Sequence, residues 1–202
     1  LAAALGLPPG RLDQPALLEA VENRVEHAVR PLHLARRELA RLLADGEVTE
    51  AIKAVGLAAS FSLNAGADGE ALQSAATAAV LCALDNNPEL LLPHTDWLDG
   101  RLFSQKLETV DLWQLATRYL ECAFQQRVEP LLPMRDLLLG GTFFVEGVSV
   151  ARLWLGCACL WRIGERDTAA RIARVVARDE RLALPFNQPF ARALQQLVSE
   201  AR

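Results

Sequence analysis

The chain has 202 residues, half of them apolar, with 25 acidic against 21 basic side chains and a net charge of −4. A chain of this length buries roughly 70% of its unfolded surface and needs no covalent staple, and no apolar run approaches the ~20 residues of a membrane-spanning helix. The acidic balance and scattered arginines argue against a nucleic-acid partner, which calls for clustered cations on one surface.

Helical periodicity with capping residues recurs from one end of the chain to the other, and strand signals are scarce. The opening LAAALGLPPG is too short, and lacks the basic start, for a signal peptide. A first helix is expected from about Gln14 to Arg30, capped by Asp13 with Pro15 in its first turn and stopped or kinked at Pro31. A second follows from Leu32 to Ala44, with Gly46 placed for a left-handed C-terminal cap. Thr49 then caps a third helix to about Ser62, the glycines of Asn64–Gly69 mark a loop, and a fourth helix runs from about Glu70 to Leu84.

The cluster Asp85, Asn86, Asn87, Pro88 reads as a turn, and residues 85–108 as short helical turns packed irregularly. A long helix from about Val110 to Val128 is bracketed by Pro130 and Pro133. Between Gly140, Gly141 and Gly147, TFFVE is the one segment expected to be extended. Helices from about Val148 to Ile163, Thr168 to Arg178 (capped by Asp167) and Gln188 to Ala201 (capped by Asn187, with Pro189 near the start) complete the chain. The expected fold is therefore all-α, with about eight principal helices in antiparallel hairpins. The chain forms either a single domain over 1–202 or two halves, 13–84 and 109–202, joined by 85–108.

Cys82, Cys122, Cys157 and Cys159 all fall within apolar helical pattern, which favours reduced thiols in a cytoplasmic setting over a disulfide framework. In LWLGCACLW, Cys157 and Cys159 point about 200° apart around a helix and cannot share a metal. Val150, Leu153, Trp154, Cys157 and Trp161 occupy one face of that helix while Leu155, Cys159 and Ile163 cover much of the rest, so it is buried nearly all round. The next helix carries Arg171, Arg174 and Arg178 as a polar stripe against Ala169, Ile172, Ala173 and Val176, and belongs on the surface. Gly164 separates the two in a tight hairpin.

No catalytic or metal constellation assembles. GVSVA, Gly147 to Ala151, is a near match to a nucleophile elbow, but no histidine follows His94, and Ser149 reads as a helix N-terminal residue. His27 and His33 lie roughly 240° apart around a helix with Pro31 between them, and Glu26 completes no metal pattern. The glycine-rich loops lack the phosphate-binding lysine and hydroxyl. The expectation is no enzyme, no metal and no cofactor.

LLADGEVTEAIKAV (Leu42 to Val55) echoes LWRIGERDTAARIARVV when Gly46 is set on Gly164: Glu47 meets Glu165, Thr49 meets Asp167, and Ala51 meets Ala169. A helix ending on Gly, with Ala five residues later in the next helix, resembles the inner turn of the tetratricopeptide repeat, a helix-turn-helix of about 34 residues. The resemblance covers these two hairpins only. It implies a stacked array with a groove for a peptide or partner helix, as in secretion chaperones and adaptors of that class.

The segments LLLPHTDWLDGRLF (Leu90 to Phe103) and LLPMRDLLLGGTFF (Leu131 to Phe144) set large apolar residues beside helix breakers. They must either cap the core or form an exposed patch; in the second case Trp97, Leu98, Phe103, Phe143 and Phe144 are the partner-binding anchors. Arginine outnumbers lysine 19 to 2, a habit of GC-rich bacterial genomes. The expected function is a protein-binding adaptor or chaperone-like module of a bacterial cytoplasmic system, its partner another protein, a peptide or a second copy of the chain. The alternative is a regulatory domain holding a small apolar ligand between helices beside Leu153, Trp154 and Trp161.

Overall fold

A computed structural model describes residues 37–64, 66–87, 89, 107–144 and 149–200. These form eight α-helices and no strand. In chain order they are α1 (residues 37–45), α2 (Val48–Asn64), α3 (Asp68–Asp85), α4 (Leu107–Gln125), α5 (Arg135–Leu139), α6 (Val150–Arg162), α7 (Arg166–Val176) and α8 (Gln188–Glu200). The expected all-α hairpin architecture is thus present. The helix expected over 14–30 lies outside the described residues, and α5 is an addition that the sequence pattern did not single out.

One turn chemistry is used four times. At the end of α1, Gly46 adopts φ +81°, its N–H donates to the Leu43 carbonyl, and the Glu47 N–H donates to the Leu42 carbonyl. The same pair of reversed bonds closes α2 at Gly66, α3 at Asn86 and α6 at Gly164. Each satisfies carbonyls that a helix end leaves open, and each needs a left-handed residue, which Gly adopts without a Cβ clash and Asn tolerates. Two caps differ from expectation. Thr49 and Asp167 lie inside α2 and α7, not before them. Thr49 Oγ1 instead donates to Asp85 Oδ2 at 3.1 Å, tying the start of α2 to the end of α3.

Two helices form the centre. The face of α3 is built from Ala71, Ala75, Ala76, Ala78, Ala79 and Ala83, all buried, and these small side chains bring α2 and α4 close while favouring the helix itself. α6 is buried along Val150, Leu153, Trp154, Leu155 and Cys157 to Leu160, and packs against α3, α4, α7 and α8. One hydrophobic cluster runs from Leu42 to Leu194 across both ends of the described chain. Trp154 joins its parts, with its ring centroid 6.3 Å from Tyr119 of α4 and 5.8 Å from Phe190 of α8.

The segment expected to be extended is not so over its described part: Thr142–Phe144 form a 3-10 turn. The reason is local. Phe143 and Phe144 fold back onto α6 at Gly156, where a Cβ would stand 2.9 Å from Phe143 Cδ1 and 2.7 Å from Phe144 Cζ. The missing side chain of Gly156 is the seat for both rings.

Candidate functional site

The stretch from the end of α4 to α5 is where large apolar side chains concentrate in solvent. α4 stops at Gln125, Gln126 takes φ +53°, and Glu129–Met134 form a 3-10 turn whose prolines, Pro130 and Pro133, fix φ and remove two backbone donors. Arg118 of α4 donates from Nη1 to the Pro130 carbonyl at 2.9 Å and holds this turn against its parent helix. Arg135, opening α5, pairs with Glu165 at the turn between α6 and α7. These contacts tie a short, irregular corner to the bundle at both ends.

Within the corner the leucines divide by face. Leu131 and Leu138, seven residues apart, are buried in the core, as is Phe143. Leu132, Leu137 and Leu139 are turned out, together with Val128 and Phe124, which is 76% exposed. Residues 124–139 therefore hold five of the ten exposed large apolar side chains found among the described residues. Single exposed leucines are ordinary, whereas a concentration of this kind is the feature that marks interaction surfaces. Smaller groups occur on α2 (Leu57 and Phe61, 62% and 58% exposed) and around α7 (Val175, Leu184, Phe186).

The anchors expected from sequence fall differently. Phe143 is fully buried under the Arg152 guanidinium, whose carbon stands 4.4 Å from the ring centroid, and Phe144 is half-buried edge-on to it at 5.6 Å. Phe143 thus caps the core, a correction to its assignment as a surface anchor, and Phe144 packs partly buried beside it, the core-capping alternative of the two that the segment left open. Trp97, Leu98 and Phe103 lie outside the described residues, as do His27, His33 and His94. Sequence reasoning about anchors was confined to residues 90–103 and 131–144 and favoured the aromatic residues there, so it passed over Phe124 of α4 and Leu132, Leu137 and Leu139. The available signal was a run of leucines too dense for one face of a short helix.

The other residues singled out from sequence have structural partners. Ser149 is the N-cap of α6, its Oγ accepting from the Arg152 N–H at 3.2 Å. All four cysteines are buried free thiols. Burial pushes Cys82 and Cys157 up to about 12 and raises Cys122 and Cys159 as well, the reverse of the depressed value a nucleophilic thiol needs. Trp161 is half-buried with the Arg166 guanidinium over its ring. No group of three potential metal ligands occurs among the described residues, and no helix there is long and apolar enough to cross a membrane.

The turns that carried the repeat resemblance share one geometry. Ala51 N donates to the Glu47 carbonyl and Ala169 N to the Glu165 carbonyl, and both alanines are wholly buried. A third copy occurs between α2 and α3, where Gly66, Ala67 and Ala71 make the same bonds. It follows the first glycine by 66 − 46 = 20 residues, against the roughly 34 of the repeat, and it joins two consecutive hairpins. The shared letters thus mark one turn geometry at all three places. Set against known proteins, the chain matches no family model, no curated protein and no solved structure.

Proposed function

We propose that this chain is a protein-binding adaptor or chaperone-like helical module of a bacterial cytoplasmic system, and that its corner at residues 124–139 is the binding surface. The observation that carries the reading is the division of the corner: Leu131 and Leu138 anchor it in the core while Phe124, Val128, Leu132, Leu137 and Leu139 face water. Such side chains offer no bond-making chemistry, and what they can do is leave water against a complementary surface, each gaining on the order of 2 kcal/mol when fully buried. A corner anchored by buried Leu131 and Leu138 also limits the ordering cost that association imposes. The stacked-hairpin arrangement implied by the tetratricopeptide-repeat resemblance agrees with a scaffold for display, and its groove is part of the proposal.

The test is site-specific photocrosslinking in the source organism, with the crosslinker at position 124 or 132 and a control at exposed Gln195 of α8. A discrete adduct at 124 and 132, lost in a Leu137→Asp background, is the expected result. Labelling no stronger than at 195 would overturn the reading. An adduct of twice the chain mass would identify the partner as a second copy.

A further inference from the structure

A second surface, independent of the apolar corner, stands on the outward face of α7. Ala169, Ala170, Ala173 and Val176 bury one side of this helix. Arg171, Arg174 and Val175 are exposed on the other, and Arg178 continues the line through the C-terminal turn, where its N–H donates to the Val175 carbonyl. At about 100° per residue the four side chains fall within roughly 100° of arc, and Arg171 to Arg178 spans about 10 Å. Val175, 67% exposed, borders the arginine stripe at one edge.

The arginines of the stripe stand apart from the others of the chain. Arg41, Arg135 and Arg181 sit on carboxylates, and Arg152, Arg162 and Arg166 lie over aromatic rings. Arg171, Arg174 and Arg178 make no ion pair, side-chain hydrogen bond or ring contact among the described residues. Of the nearby carboxylates, Glu165 pairs with Arg135 and Asp179 with Arg181 at 2.5 Å, while exposed Asp167, one turn before Arg171, and Glu180, after Arg178, make no ion pair among the described residues. Three free guanidinium groups thus share one face of a chain whose net charge is −4. Cations near a helix C-terminus are favoured by the macrodipole. That accounts for Arg174 and Arg178, but not for Arg171 in mid-helix or for the valine beside them.

We propose that this face of α7 docks an acidic amphipathic segment of a partner protein. Arg171, Arg174 and Arg178 receive carboxylates spaced about 5 and 10 Å apart, one or two turns of the partner, and Val175 receives an apolar side chain. Guanidinium groups bind carboxylates through two parallel hydrogen bonds, and arginine beside apolar residues is the composition of interface centres. A polyphosphate chain fits less well, because it has no apolar group to cover Val175, which is 67% exposed.

The probe is a fluorescein-labelled helical peptide of about twenty residues, long enough to hold a helix. It carries Glu at i, i+3 and i+7 beside Leu, and its counterpart has Gln for Glu; binding is followed by anisotropy at low and at physiological salt. The Glu peptide should bind the full chain at least tenfold more tightly than the Gln peptide. Arg171→Glu should lower that affinity several-fold, and the triple reversal R171E/R174E/R178E should abolish it and prefer a Lys peptide instead. Arg127→Glu, an equal charge change elsewhere, should have little effect, and circular dichroism confirms that each variant is folded. The proposal is overturned if the Glu peptide does not bind, if Glu and Gln peptides bind alike, or if Arg127→Glu weakens binding as much as Arg171→Glu. It is equally overturned if phosphatidylserine vesicles or a single-stranded oligonucleotide of matching charge bind more tightly than the peptide. Phe124→Asp should leave the peptide affinity unchanged, which separates this surface from the corner.

Discussion

α6 and α7 are consecutive helices of 13 and 11 residues joined by a single turn, yet one is enclosed on all sides and the other is half in water. Neighbours make the difference: α6 packs against α3, α4, α7 and α8, whereas α7 packs against α6 and α8. Small residues admit those neighbours to α6, where Gly156, Cys157, Ala158 and Cys159 stand in succession. Its two arginines are placed over the rings of Phe143 and Tyr119. On α7 the small residues form a narrow inward stripe and the arginines are left to solvent. Enclosure is thus a property of how many elements a helix must serve, and residue size at the contacts records it.

If that comparison is sound, truncation should be costly on α6 and nearly free on α7. Trp154→Ala removes the ring that joins α4 to α8 and should cost about 3–5 kcal/mol in chemical denaturation. Val175→Ala should stay within about 0.5 kcal/mol, and equal costs would break the contrast. A smaller effect is expected at Gly156. Alanine is the better helix former by about 1 kcal/mol, but its Cβ would meet Phe143 Cδ1 at 2.9 Å and Phe144 Cζ at 2.7 Å. Phe144 is half-buried and can yield; Phe143 is fully enclosed and cannot, so overpacking of about 1–3 kcal/mol should prevail. Gly156→Ala is expected to lower stability by about 1 kcal/mol, and a gain would show that the seat for the two rings is loose.

Legibility in the sequence followed the same line. The enclosure of α6, the one-sided character of α7 and the stop at Gly164 were all readable, because hydrophobic period and a left-handed glycine are local signals. The cap residues of α2 and α7 were misplaced, since Thr49 and Asp167 suit a cap by type, while Thr49 is drawn instead to Asp85, 36 residues away. The corner at 124–139 was half legible. The density of leucines announced a conflict between core and surface, but which ones face inward depended on the 3-10 turn and on Arg118 reaching Pro130. The choice for Phe143 between core cap and surface anchor stayed open for want of one fact, that Gly156 lies opposite it.

The thiols of α6 sharpen the comparison most finely, since at neutral pH their ionisation should have no effect at all. Burial holds Cys157 up to about 12 and raises Cys159 as well, whereas in an unfolded chain a thiol ionises near 8.5. A folded value above the unfolded one stabilises the fold fully below about pH 8.5. That contribution then falls as the unfolded state gives up protons that the folded state retains, and it is lost as pH rises toward 12. Cys157→Ala should therefore flatten the decline of stability between pH 9 and 12 relative to the parent chain. In native buffer at pH 8 a thiol reagent should label neither Cys157 nor Cys159 until denaturant is added. Rapid labelling of both would mean that α6 opens to solvent in the native state, and the enclosure that distinguishes it from α7 would then be only an average.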